Sequence, residues 1–308
     1  MKTLQNNIKY WLSSDLYPAY LYAKEIMRFH AKSFFFATKF MPQEKRWATY
    51  AVYSFCRYVD NIVDNPRNRT IQDIIKELDL VRGELQNAYL FGESEHPSIK
   101  SFISAAKLYK IPLEYPMDLI DGVQMDITIN RYNTFDELYV FCYKVAAVVG
   151  LMMTYIMGFK DSNTLFYAEK MGVAMQLTNI LRDIQEDKNM QRIYLPIDEI
   201  KSYGLEESDF FNENFNLQFR DFMKFQVERV RLFYQDSITG VALLDAESRF
   251  SIYAAGNIYS SILRKIEERG LNPFLGRVFV PNTEKISIML SEFIKRNILQ
   301  MSNVNSKS

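Results

Sequence analysis

Residues 47–65 read WATYAVYSFCRYVDNIVDN, and residues 171–189 read MGVAMQLTNILRDIQEDKN. In the first, Tyr53, Arg57, Asp60 and Asp64 stand at i, i+4, i+7 and i+11, which puts them on one face of a helix. Val52, Phe55, Cys56, Tyr58, Val59, Ile62 and Val63 fill the rest, and a helix apolar nearly all round is a buried one. The second repeats the logic: Gln176, Asn179, Asp183 and Asp187 share a face, while Val173, Met175, Leu177, Ile180, Leu181 and Ile184 occupy the others. An isolated buried carboxylate is too costly to leave uncompensated. Paired aspartates one turn apart also repel each other mildly. Each stripe therefore predicts a cation.

Outward from these two helices the pattern stays helical. Glycine and proline number only 11 and 9, no stretch alternates apolar and polar residues, and apolar residues recur at helical spacing. The expected class is all-α, with helices near 19–40, 43–64, 70–91, 97–109, 113–130, 134–158, 161–187, 217–239, 245–270 and 283–301. Turn chemistry at Met41-Pro42, Asn65-Pro66, FGESEHP, Ile111-Pro112, Leu195-Pro196 and Asn272-Pro273 marks breaks. Neither a Gly/Ser linker nor a repeat of fixed period divides the chain, so residues 1–308 are expected to form one domain with its core at about 20–282.

Composition narrows the partners. Basic and acidic side chains balance at 37 each, leaving no net field to attract a nucleic acid backbone. Cys56 and Cys142 each lie in an apolar run and read as buried free thiols, consistent with a reducing, cytoplasmic setting. The opening MKTLQNNIKYWLSSDLYPAY has no continuous apolar segment and no small-residue cleavage site, so it is expected to remain on the chain. The longest apolar stretch, VAAVVGLMMTYIMGF at 145–159, is shorter than the roughly 20 residues that span a bilayer and is expected to be a buried helix. Aromatics at 15% and 14 methionines suit either a core or the lining of a deep apolar cavity.

Magnesium is the natural cation, with manganese as a substitute, because it is held by one or two carboxylates together with phosphate oxygens. Neither stripe offers the His or Cys that zinc prefers, and neither forms a calcium loop. Two such helices face to face would bind a diphosphate through bridging metal. The implied chemistry is ionisation of a diphosphate ester, with Arg57 and Arg182 stabilising the leaving pyrophosphate.

Five segments in order make the sequence resemble the squalene/phytoene synthase family: HAKSFFFATKFMP at 30–42, YAVYSFCRYVDNIVD at 50–64, YVFCYKVAAVVGLM at 139–152, QLTNILRDIQEDKNMQRIYLP at 176–196, and IYSSILRKIEERG with GRVFV at 258–280. The resemblance implies a single-domain isoprenoid-synthase helical bundle around a central apolar cavity. It implies magnesium ligands at Asp60, Asp64, Asn179, Asp183 and Asp187, and a catalytic role for those aspartates with Arg57 and Tyr53. It also implies diphosphate contacts at Ser33, Arg57, Gln176, Asn179, Arg182, Tyr259 and Arg277, and a cavity lined by Phe34, Thr38, Phe141, Val145, Ala146, Val149 and Gly150. Ala31, Phe141 and Ala147 depart from the family pattern, which carries serine, tyrosine and glycine there.

The reaction the resemblance implies is head-to-head joining of two prenyl diphosphates through a cyclopropylcarbinyl diphosphate. Two geranylgeranyl diphosphates would give phytoene without NADPH, in carotenoid biosynthesis; farnesyl diphosphate would give dehydrosqualene, squalene or hydroxysqualene. A non-catalytic assembly protein on the same fold is a reading of another class, against which all four aspartates speak. His30 is expected to belong to an amphipathic face rather than to act as a proton acceptor. The last helix is expected to pack Ile286, Leu290, Phe293 and Ile294 on the bundle. A monomer is expected, with peripheral membrane contact for release of a hydrocarbon product.

Overall fold

The computed structural model describes residues 9–65 and 68–305. Its helices are α1 (Tyr17–His30), α2 (Lys32–Ala37), α3 (Gln43–Asp64), α4 (Ile71–Phe91), α5 (Pro97–Tyr109), α6 (Glu114–Thr128), α7 (Phe135–Cys142), α8 (Val148–Met157), α9 (Asn163–Asn189), α10 (Ile197–Ser202), α11 (Glu207–Phe211), α12 (Leu217–Ile238), α13 (Ala246–Glu268) and α14 (Asn282–Asn305). No β-strand occurs among the described residues, only two isolated bridges, Arg131 with Ile193 and Phe159 with Leu244. The all-α class stands.

Local chemistry sets the ends. Thr70 and Asp73 close a reciprocal capping box on α4, and Gly92 ends it in the left-handed region at φ +88°. Before α3, the Arg46 guanidinium donates to the carbonyls of Thr38, Lys39 and Met41 at 3.0, 2.7 and 2.9 Å, satisfying the end of the preceding turn.

α9 is the axis of the bundle. Met171, Val173, Ala174, Leu177, Ile180, Leu181 and Ile184 are buried around its circumference, and α8, α12 and α13 pack against it. α7 and α8 form one continuous helix interrupted by a π-turn at Tyr143–Ala147. Two glycines allow this wider turn its neighbours: a Cβ on Gly122 would lie 2.8 Å from Lys144 Cβ, and one on Gly172 only 2.4 Å from Ala147 Cα. Lys144 fixes the turn to α6 through Asp118 at 2.7 Å and Asp121 at 2.9 Å.

Several expectations need correction. The helix expected at 19–40 breaks at Ala31, where φ −130° and ψ 55° leave the helical region, and ends in a 3-10 turn. α10 and α11 lie in a segment where no helix was expected. The apolar stretch at 145–159 belongs to a longer helix, Phe135–Met157, which by length and composition alone is able to cross a membrane; more than half of its apolar window is buried inside the bundle. On α14, Ile286, Leu290, Phe293 and Ile294 are half-exposed; Met289 docks against Phe250 and Ala254, and of the expected four Phe293 sets its ring edge-on to Phe250, centroids 6.2 Å apart. The side chains of 295–301, the first eight residues of the amino-terminal segment and Pro66 of the Asn65-Pro66 break lie outside the described residues.

Candidate active site

The two aspartate stripes meet. Asp60 and Asp64 from α3 face Asp183 and Asp187 from α9 across a polar chamber of about 240 Å³, whose wall also carries Gln176, Asn179, Asp126 and Tyr194. Val63, Val123, Phe141, Val145 and Ile180 form its apolar backing.

Charge is compensated at only one aspartate of each pair. Arg57 Nη1 donates to Asp64 at 3.1 Å. Arg182 grips Asp183 with two parallel bonds of 2.7 and 2.6 Å, and Arg277 Nε reaches the same carboxylate at 3.1 Å. Asp60 and Asp187 form no ion pair among the described residues. Burial, then the neighbouring Asp64 charge, pushes Asp60 up to about 7, and burial, then Asp183 and Asp126, does the same to Asp187. Carboxylates crowded in this way repel one another, and a cation placed among them would relieve that repulsion.

The donor set fits magnesium. Asn179 Nδ2 donates to Gln176 Oε1 at 3.3 Å, and this leaves Asn179 Oδ1 buried with no hydrogen-bond partner, on a residue that lines the chamber. No group of three His, Cys, Asp or Glu among the described residues converges tightly enough to hold a metal by itself. That matches a cation held by a carboxylate or two and completed by phosphate and water, rather than a preformed protein cage.

Asp126, on α6, was not singled out from the sequence. Tyr194 donates its hydroxyl to Asp126 at 2.5 Å and Arg192 approaches at 3.2 Å, so a third helix and the segment after α9 brace the chamber. A signal did exist. Asp126 continues the buried stripe of Leu119 and Val123 at i, i+4 and i+7, the same test that found the other four, but it has no second aspartate one turn away.

Beside the chamber lies a larger cavity of about 890 Å³. Val145, Gln176 and Asn179 line both, so the two spaces share one wall. Arg182, Arg277, Tyr259 and Tyr53 stand on the cavity side, near its polar end. Of the expected lining, Phe34, Val145, Ala146, Val149 and Gly150 are on its wall. Thr38 is not: it is fully buried and donates to the Phe35 carbonyl at 2.7 Å. Phe141 is not either, because it faces the polar chamber with its ring stacked on Tyr194, centroids 5.3 Å apart. Ala147 packs under Gly172 instead of bordering the cavity. The Ser33 side chain lies outside the described residues. His30 sits at the exposed mouth, where burial and then Arg57 lower its pKa.

Comparison with known proteins agrees with this geometry. The family model described as Squalene/phytoene synthase matches residues 27–284. The chain is 33% identical over 298 residues to the 15-cis-phytoene synthase of Synechococcus elongatus, covering 93% of this chain and 96% of that one. It is 38% identical over 275 residues to the chloroplastic phytoene synthase 2 of Oryza sativa subsp. japonica, covering 87% of this chain and 68% of the relative. Among solved structures, a dehydrosqualene synthase in complex with ligand superposes with a TM-score of 0.84 at 24% identity, covering 91% of this chain and 97% of that one. The squalene synthase HpnC from Alicyclobacillus acidocaldarius gives 0.79 at 23%, covering 86% and 99%. At these identities the structural likeness is one of fold.

Proposed function

The chain belongs to the squalene/phytoene synthase family of prenyltransferases, and from that premise we propose that it joins two geranylgeranyl diphosphates head to head, through a cyclopropylcarbinyl diphosphate, to phytoene. The observation that carries this reading is the shared wall of Val145, Gln176 and Asn179, which sets an acidic chamber directly against an apolar cavity. A diphosphate bound in the first has its tail in the second.

Asp60, Asp64, Asn179, Asp183 and Asp187 would hold magnesium, which when bound would supply Lewis-acid charge for the departure of pyrophosphate. The chain's own residues do the rest. Arg182 and Arg277, which engage Asp183 at the border of the two spaces, are placed to take the departing pyrophosphate oxygens. Arg57 is placed likewise beside Asp64, and its Nε is buried without a partner. Tyr53 and Tyr259 present phenol groups on the cavity side. Phe34, Val149 and Met153 exclude water from an allylic cation that water would otherwise capture. Each half of the reaction releases one pyrophosphate and one proton, so no reductant is consumed and NADPH is not required. The released pyrophosphate is the proposed acceptor for the last proton.

A hydrocarbon product needs a lipid destination, and the surface supports one. Phe29 and Phe279 both line the cavity and are 76% and 74% exposed, and the half-exposed apolar side chains of α14 begin one residue after the cavity-lining Lys285. The protein is proposed to work in the cytoplasm with peripheral membrane contact; full solubility with undiminished turnover in lipid-free buffer would count against that contact.

The test is direct. Purified protein is incubated with magnesium and radiolabelled geranylgeranyl or farnesyl diphosphate, with and without NADPH, and the hydrocarbon identified. Phytoene from the first substrate, independent of NADPH, is the expected result. A C30 hydrocarbon from farnesyl diphosphate alone would move the reading to that substrate, and no product from either would end it.

A further inference from the structure

α9 lines the cavity along much of its own length. Asn179, Gln176, Met175, Gly172, Ala168 and Thr164 of that helix are all on its wall, running back from the border with the acidic chamber, where Asn179 and Gln176 line both spaces. At 1.5 Å per residue, Asn179 to Thr164 is roughly 22 Å and Asn179 to Ala168 roughly 16 Å. An isoprene unit adds four carbon–carbon bonds to an extended chain, roughly 5 Å of length at about 1.5 Å per bond. By the same bond length, a three-unit tail reaches roughly 15 Å and a four-unit tail roughly 20 Å. The third unit of a tail laid along α9 therefore ends at the level of Ala168, and a fourth must pass it to reach Thr164.

What stands at that level is small. Ala168 offers one methyl, and Gly150 of α8, packed directly beside it on the same wall, offers none: a Cβ there would sit 3.2 Å from the Ala168 carbonyl oxygen. Met157, Thr164, Tyr167 and Leu244 line the cavity as well. Thr38 takes no part in this wall.

We propose that Ala168 is the specificity-determining residue for tail length: its small side chain admits the fourth isoprene unit, and the chain accordingly selects C20 over C15 diphosphates. The proposal rests on the prenyl-joining reaction above and deepens it. One methylene in an apolar pocket alters selectivity by about 10–200-fold. An obstructed isoprene unit is larger.

The test is Ala168→Phe, with Ala168→Leu as a milder variant should the ring prevent folding; helicity and magnesium-dependent binding of inorganic pyrophosphate confirm that fold and chamber are intact. Wild type and variants are given C20 and C15 diphosphates, separately, and binding of the corresponding thiodiphosphates is measured alongside product chain length. The expected result is an inverted preference: kcat/KM for C20 falls by at least about 100-fold, C15 falls by less than about tenfold, and the hydrocarbon shortens to C30. A retained C20 preference in a folded variant, or an equal loss for both substrates, overturns the proposal. Wild type inert to both substrates is a different outcome, which overturns the joining reaction itself.

Discussion

Asp60 and Asp187 are held in the folded chain at a proton affinity that no unfolded aspartate has, and two consequences follow at the level of single residues. Asp60→Asn and Asp183→Asn each remove a proposed metal ligand and are expected to lower turnover by at least about 100-fold while leaving helicity intact. Full activity in either would take that residue out of the site. The two substitutions differ in their effect on the metal-free protein. Asp60→Asn removes an uncompensated charge and is expected to raise Tm at pH 8 by about 2 °C or more, whereas Asp183→Asn frees Arg182 and Arg277 from their partner and is expected to lower it. Thermal denaturation in EDTA separates the cases.

The same shifts give a pH dependence. The folded-state pKa of both Asp60 and Asp187 is raised, from 3.8 to about 7, so their protonated forms favour folding at low pH and this contribution is lost as pH rises through 7. Without metal, Tm is expected to fall between pH 5.5 and pH 8. Magnesium with pyrophosphate binds the ionised chamber, so the Tm increase it causes is expected to be larger at pH 8 than at pH 5.5. An increase independent of pH would mean that these carboxylates do not hold the ion.

At the scale of elements, the α3 and α9 stripes were legible because each combined two signals, aspartates at helical spacing and apolar residues on every other face. α3 and α5 run over the residues the sequence predicts. Asp126 escaped because it has no second aspartate one turn away on α6, and its meaning appears only when α3 and α9 come to face it. The break at Ala31 escaped because HAKSFFF contains neither glycine nor proline, and the end of the 3-10 turn after α2 escaped because its carbonyls are tied up by Arg46, a side chain of the next helix. The family resemblance assigned Phe141 and Val145 to one cavity; on either side of the start of the π-turn at Tyr143, Val145 borders both spaces and Phe141 only the chamber. That turn depends on Gly172. A methyl at Gly172 meets Ala147 Cα at 2.4 Å, backbone that cannot swing away, so Gly172→Ala is expected to destabilise the protein by about 1–3 kcal/mol in urea denaturation. Unchanged stability would show that α8 and α9 are free to separate.

At the scale of the whole molecule, helical periodicity and sparse glycine and proline predicted the all-α class and the family resemblance a bundle around an apolar cavity, and the bundle holds two unequal spaces. The smaller is polar and acidic, and the larger is apolar with basic side chains at its rim, including Lys32, Arg182, Arg277 and Lys285. No sequence pattern shows that division, because the wall between them is assembled from the π-turn and α9, while α3 and α6 complete the chamber. Membership of the family fixes the class of reaction, and cavity length along α9 sets the tail it is proposed to accept.

The central claim is that the acidic chamber takes a diphosphate only by way of a divalent ion. Calorimetric titration of the purified protein with geranylgeranyl thiodiphosphate, in magnesium and again in EDTA, tests it most directly. Binding in magnesium that weakens by at least about 100-fold in EDTA, and that Asp187→Asn also loses, is the predicted result. Equal affinity in the two buffers would contradict the account, because the diphosphate would then be held by the arginines alone.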